Sequence, residues 1–277
     1  MEVFAFTKPG RAWNEDRFFI SQDFCFVLDG ATSLTKERYS EFNTDAEWVS
    51  DWWKEYLIEN LKDMEVTIPE ILKQGVKECR KVYNEMSGKN EYIDFPSTTA
   101  SIVRRRGGEL EVYIIADSPI LFETKDGYAF RLNDSKVDVV DEINLAIYYS
   151  LAKKENSTVS EIRKKYPEHV KNGRMKKNRA GGYFVLADSV EAIDNGIYTV
   201  IKEDLIKKVL IMSDGYSQVF DTFKFLTEKE LLNEINSEND IARIYERLYT
   251  LQEQDEGALN YPRMKKRDDA TVVAMMF

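Results

Sequence analysis

The chain has 277 residues, 43% of them hydrophobic, and a formal net charge of -10; that length suits one domain of generous size with a large core. An acidic surface repels phosphate backbones, which argues against nucleic-acid binding, and it suits metal cations. No apolar run nears the roughly 20 residues of a membrane helix and no basic start leads into an apolar leader, so the expectation is a cytoplasmic protein with no membrane partner.

In chain order, segments 2–7 and 17–29 are rich in Phe, Val and Ile and read as strands, the second pair broken by a turn near Gln22-Asp23. Thr44 with Glu47 fits a capping box and places Val49, Trp53, Leu57 and Leu61 on one helix face. Thr67 with Glu70, and Pro69 in the first turn, open a second helix whose stripe is Leu72, Val76, Cys79, Tyr83 and Met86. Trp48, Trp52 and Trp53 read as helix-packing residues.

The middle of the chain, 97–132, holds apolar runs divided by Gly107-Gly108, Ser118-Pro119 and Asp126-Gly127. Both glycine-containing pairs predict type I′ hairpin turns, and the whole reads as a meander. Residues 141–182 read as helix and then loop, ending in the basic run from Arg174 to Arg179, which is either a solvated loop or a recruiting patch for phosphoprotein. Strands are expected at 183–187, 197–202 and 207–213, helices at 227–236 and 238–254, and a last strand in "ATVVAMMF". The order predicts an α+β fold: two antiparallel sheets packed as a sandwich with helices on the outer faces, one domain over 1–277.

Cys25 and Cys79 read as small core hydrophobes, and neither has Arg six positions later, which excludes a thiol phosphatase loop. The only histidine, His169, sits in a charged segment and reads as a surface residue. Chemistry that needs two histidines is excluded.

Five aspartates stand at strand edges in separate parts of the chain: Asp16, Asp29, Asp117, Asp214 and Asp268. A carboxylate beside a buried strand is costly unless paired, and nearby basic residues are too few for all five. Divalent cations would satisfy them together, and oxygen-only ligands point to Mg²⁺ or Mn²⁺. Gly30, after Asp29, would let its carbonyl approach an ion.

The ordered set "RAWNED", "LDG", "TTA", "ADS", "SDG" and "DDAT", running from Arg11 to Thr271, resembles the metal-dependent serine/threonine protein phosphatase family, type 2C, as a divergent bacterial-like member. The resemblance implies two Mn²⁺ or Mg²⁺ ions and direct attack on a phosphomonoester by a water or hydroxide bridging them, without a phosphoenzyme. Asp29 would bridge both ions, Gly30 would offer its carbonyl, Asp214 and Asp268 would hold the other ion, Asp16 would act through bound water, and Asp117 would belong to a weaker third site. Arg11 would clamp the phosphate, and the substrate would be a phosphoserine or phosphothreonine protein; a monomer is expected.

Departures from the pattern are Ala31, where many relatives carry a candidate general-acid His; the Thr32-Ser33 region in place of a usual Gly; Asp269 for a frequent Asn; and Ala116 for a usual Gly. Residues 134–182 match no family motif and are expected to form a variant flap. Ala31 keeps open a second reading, a catalytically weak or inactive binding module on the same fold. A dehalogenase-type aspartyl phosphatase is disfavoured, because its second Asp would fall at Ala31.

Overall fold

The run Phe24-Leu28 is apolar at every position because both faces of its strand are covered. Phe24, Phe26 and Leu28 pack toward helices, whereas Cys25 and Val27 pack toward a second sheet. That alternation is the period-2 geometry of a strand. The molecule is a computed structural model describing residues 1–31, 33–35 and 37–277; the expectation at Thr32 lies outside the described residues.

One sheet runs in the order β1 (Glu2–Lys8), β12 (Ala270–Met276), β11 (Ile206–Met212), β8 (Ile120–Thr124), β9 (Ala129–Leu132). The other runs β10 (Ile197–Lys202), β7 (Glu109–Ile115), β6 (Ala100–Arg106), β3 (Phe24–Leu28), β2 (Arg17–Ile20). All these pairings are antiparallel. A short ladder joins β4 (Gly30–Ala31) to β5 (Ser97–Thr98).

The inner core interleaves Cys25, Val27, Val103 and Val112 with Phe122, Val209, Ile211 and Val273. Outside one sheet lie α1 (Asp45–Asn60) and α2 (Ile68–Ser87), burying Val49, Trp53, Leu57, Leu72, Val76 and Cys79. Outside the other lie α6 (Asp214–Ser217), α7 (Glu228–Glu234) and α8 (Glu238–Gln254), burying Tyr216, Leu231, Ile241, Ile244 and Leu248. The expected helix-sheet-sheet-helix sandwich is present. Between β9 and β10, α3 (Lys136–Glu155), α4 (Val159–Lys165) and α5 (Glu168–Arg174) share a satellite core of Tyr148, Ala152, Val159 and Ile162.

A buried ion pair joins the first two helices to the sheet. Arg104 donates to Glu111 at 2.9 Å and to the carbonyls of Leu61, Asp63 and Val66 that follow α1. Glu111 also accepts from the Ile68 N–H at the start of α2, at 2.8 Å. One pair thus satisfies backbone groups that both helix ends leave free.

Several local expectations are corrected. Gly107 and Gly108 both have positive φ, as a type I′ turn requires, but at the other pair only Gly127 does. There the Gly127 N–H bonds back to Thr124 O, so that turn is an ordinary one closed by a left-handed glycine. The meander is also interrupted: β6 and β7 form a hairpin in one sheet, and the chain crosses at 116–119 to form β8 and β9 in the other. Residues 183–187 make only isolated bridges, Thr98 with Leu186 and Lys177 with Tyr183, in place of a strand. Thr44 caps α1 through the Glu47 N–H at 3.0 Å, but Glu47 turns to Asn43 and the Thr44 hydroxyl donates to Glu15, so the box is half formed.

Candidate active site

Strand ends and loops at one end of the sandwich, with the three-helix segment beside them, enclose a cleft of about 1650 Å³. Arg11, Asp29, Gly30, Ala31, Asp117, Asp214 and Asp268 all line it. Asp16 is 3% exposed behind them. The chain therefore gathers every candidate acid at one end of the fold.

Each acid is placed by an identifiable local cause. Asp29 follows β3, with its N–H on Thr99 Oγ1 at 3.0 Å and its carbonyl accepting the Thr99 N–H at 2.9 Å. Thr99 Oγ1 shares a 2.6 Å bond with Ser118 Oγ, which fixes the segment beside Asp117 to the same network. Ala116, before Asp117, has φ 71° and is fully buried. That left-handed conformation is the reason a glycine suits this position better. Asp214 opens α6 instead of ending a strand, because Ser213 binds Thr271 across the β11–β12 pair and turns the chain there.

Two glycines let backbones meet. A Cβ at Gly30 would lie 2.6 Å from Ser50 Oγ and 2.8 Å from Glu15 O, and one at Gly215 would lie 2.0 Å from Asp269 O. The need for Gly30 is thus packing against α1 and the Glu15 backbone.

Asp269 explains another departure. Its two oxygens accept separate backbone N–H groups, Gly10 at 2.7 Å and Glu15 at 2.7 Å, and so pin the loop that carries Arg11. An Asn could accept with only one of its two terminal atoms. Glu15, 1% exposed, accepts from Arg11 at 2.5 Å and from Thr44 Oγ1 at 2.6 Å. Arg11 also lies 4.9 Å over the Trp13 ring.

The electrostatics are those of crowded carboxylates. Burial pushes Asp29 well above the ordinary aspartate range, and Asp16, Asp214 and Asp268 push it further. The Asp29 and Asp214 carboxyls lie close enough to perturb one another. Asp214 is pushed up to about 7 by burial and by Asp268, against the pull of Lys265. Asp16 is pushed up to about 8 by burial, with Asp269 and Asp214 adding and nearby Thr271 and Ser213 hydroxyls opposing. Neither Asp16 oxygen has a hydrogen-bond partner among the described residues. Burial raises Asp117 as well, with Asp214, Asp141 and Asp138 contributing.

Lys265 is the cation at this cluster, donating to Asp268 at 2.7 Å. Burial would lower its pKa, but Asp268, Asp214 and Asp29 outweigh that and raise it. One ammonium cannot neutralise five carboxylates. Among the described residues no three acidic, His or Cys side chains close to metal-holding distance. The donor set nonetheless fits a hard cation: oxygen ligands only, mutual repulsion, and a buried carboxylate whose oxygens lack partners.

Glu15, Asp269 and the Thr99–Ser118 link were not singled out for these roles by sequence. The signals were present only as neighbours of motif residues: "NED", "DDAT", "TTA" and "ADS". His169 meets Tyr148 edge to face in the helical segment and does not line the cleft. Within the basic run, Lys177 proves buried and paired with Asp94.

A double antiparallel sandwich with carboxylates and an arginine gathered at one end of its sheets defines a phosphatase-type architecture. The sequence profile described as Protein phosphatase 2C matches residues 11–260, and the chain belongs to that family. No curated protein sequence matches it. The serine/threonine phosphatase PstP/Ppp of Mycobacterium tuberculosis superposes with a TM-score of 0.56 at 18% identity, covering 99% of this chain and 97% of that one. The PstP catalytic domain in complex with two manganese ions gives 0.55 at 17% identity, covering 99% and 96%. Stp1 of Staphylococcus aureus gives 0.54 at 14% identity, covering 100% and 94%. Among the described residues no helix is long and apolar enough to cross a membrane.

Proposed function

We propose that this chain is a metal-dependent phosphoprotein phosphatase that hydrolyses phosphoserine or phosphothreonine monoesters. The observation that carries the reading is the convergence of Asp16, Asp29, Asp117, Asp214 and Asp268, from five distant parts of the sequence, beside Arg11 at one cleft. Among the described residues, Lys265 is the cation that pairs with this group of acids, through Asp268.

Asp29, Asp214 and Asp268, with the Gly30 carbonyl and with Asp16 behind, would hold two Mn²⁺ or Mg²⁺ ions, and Asp117 a third. Bound there, such ions supply an activated water and neutralise charge on the phosphoryl oxygens. The protein's own part is positional. Glu15 and Asp269 hold the Arg11 loop so that its guanidinium faces the cleft with a fork that matches phosphate oxygens. Ala31 provides no proton donor, so the leaving oxygen takes its proton from water. We assign residues 1–277 to one phosphatase unit in which 134–182 serves as a variant flap.

The test is hydrolysis of p-nitrophenyl phosphate and of a phosphothreonine peptide with Mn²⁺, with Mg²⁺ and with EDTA. Turnover that needs the cation and vanishes in Asp29→Asn with an unchanged circular dichroism spectrum is expected. Absence of turnover in the native protein under every metal would favour the inactive binding module that Ala31 allows.

A further inference from the structure

The cleft is larger than a phosphorylated side chain needs. Small-molecule pockets span ~300–1,000 Å³, whereas this one is about 1650 Å³, so a segment of substrate chain on either side of the phosphoresidue fits within it. The question is what lines the part not used by the acids.

Arginines lining the cleft are mostly committed to the protein. Arg11 pairs with Glu15, Arg131 with Asp221 and Glu228, and Arg263 with Asp255, and Arg163 donates to the Met264 carbonyl at 3.3 Å. Arg174 differs. Half-buried at the C-terminal end of α5, it has a guanidinium that makes no hydrogen bond and no ion pair among the described residues. Tyr183, 6% exposed and lining the same cleft, has a hydroxyl with no protein partner among the described residues. Burial pushes that phenol up to about 12, with Arg174 pulling it down and Asp141, Asp94 and Asp117 pushing it up; it is a protonated donor beside a guanidinium.

Arg174 is also held in place from both sides. A Cβ at Gly173 would lie 2.8 Å from Asn144 Nδ2 and 3.2 Å from Val140 Cγ1, so α5 is seated closely on α3 at the preceding residue. Three residues later, Lys177 is buried against Asp94 and donates to Phe95 O at 2.6 Å, which ties the following loop to the sandwich beside β5. Two carboxylates lie in its field, Asp94, which pairs with Lys177, and Asp141, which is shared with Arg163 and Lys265; among the described residues neither forms an ion pair with Arg174. A partly buried guanidinium that lines the cleft without a protein partner is completed by solvent or by a ligand anion.

We infer that Arg174, with Tyr183, forms an anion subsite that selects phosphoprotein substrates carrying a second oxyanion, phosphate or carboxylate, near the phosphoresidue. The inference rests on the phosphatase reading above and names a substrate class for it. A guanidinium and a phenol together suit either oxyanion, and the two sources are separated by experiment.

Binding is read by fluorescence anisotropy, with Mn²⁺ present, on fluorescein-labelled peptides whose phosphoserine is replaced by a non-hydrolysable phosphonate. Three peptides differ only in their flanks: neutral, glutamate-bearing, or bearing a second phosphonate. The native protein is expected to favour an anionic flank by about tenfold, the scale of one charge-assisted hydrogen bond. Arg174→Ala should abolish the preference, Arg174→Lys should keep part of it, and Tyr183→Phe should weaken it by roughly threefold. Preference for the phosphonate flank alone identifies phosphate as the anion, and preference for both identifies oxyanions in general. Equal affinity for all three peptides, or a preference undiminished in Arg174→Ala, overturns the assignment; Arg174→Gln carries the same test should the alanine variant fail to fold. Absence of p-nitrophenyl phosphate hydrolysis by the native protein defeats the phosphatase reading alone, since flank preference is measured without turnover.

Discussion

Replacing Asp16 by Asn should make the metal-free protein more stable at neutral pH. Asp16 is buried, its oxygens lack hydrogen-bond partners, and its folded pKa is about 8 against 3.8 for the free group. A carboxyl with a raised folded pKa binds a proton on folding. It costs nothing below the unfolded value and destabilises progressively as pH rises from about 4 toward 8. At pH 7.5 the difference from the free group, at about 1.36 kcal/mol per pH unit, gives a ceiling of ~5 kcal/mol. The substituted amide must find acceptors, which takes back about 1–3 kcal/mol, and Asp29 and Asp214 share in the repulsion.

A net gain of about 2 kcal/mol is therefore expected, or roughly 4–8 °C in Tm for a chain of this size. The assay is thermal and urea unfolding in EDTA at pH 7.5 and pH 4. The gain should be present at pH 7.5 and give way to a loss of about 1–2 kcal/mol at pH 4, where the folded carboxyl is protonated, the unfolded one is only partly ionised, and the amide's unmet acceptors are what remains. With Mn²⁺ added, the native protein should gain stability by ligand linkage and the variant should gain less. A variant that loses stability in EDTA at pH 7.5, or one that gains equally at both pH values, would refute the unrelieved repulsion on which the metal assignment depends.

Lys177→Met should cost about 3–5 kcal/mol, because it leaves the Asp94 carboxylate, 8% exposed, without its charge partner; a loss under 1 kcal/mol in urea unfolding would show that the pair is not buried in solution. Ala116→Gly should change stability by less than about 1 kcal/mol, since relief of a left-handed alanine offsets the lost methyl burial and added chain entropy. A loss above about 2 kcal/mol would mean that the φ of 71° at this residue is wrong.

How far the fold could be read depended on whether its determinants were local. Strand β3 and its helix neighbours follow from alternation and from apolar stripes, and Thr67 with Glu70 and Thr227 with Glu230 mark helix starts through bonds spanning three residues. The exchange of sheets at 116–119 is not local. Strands β7 and β8 are equally apolar, and what separates them is the left-handed turn at Ala116 and the Ser118 links to Thr99 and Ser101. Residues 183–187 misled for a related reason. Their apolar side chains are buried by helix and loop packing around a single bridge to Thr98, which composition does not distinguish from a ladder.

The site divides the same way. That five aspartates stand beside strands could be read from sequence, no motif being specific singly and their order resembling the family as a set, and four of them line the cleft. The groups that hold them could not, since Asp269 meets Gly10 and Glu15 across more than 250 residues. The basic run from Arg174 to Arg179 shows the limit most clearly. Read as a unit it is either a solvated loop or a recruiting patch, yet the Lys177 side chain is buried against Asp94 while Arg174 lines the cleft half-buried, with no side-chain partner among the described residues. Two like charges three residues apart thus sit in different surroundings, Lys177 tied to Asp94 and the Phe95 carbonyl beside β5 and Arg174 lining the cleft, a difference that the composition of the run does not carry.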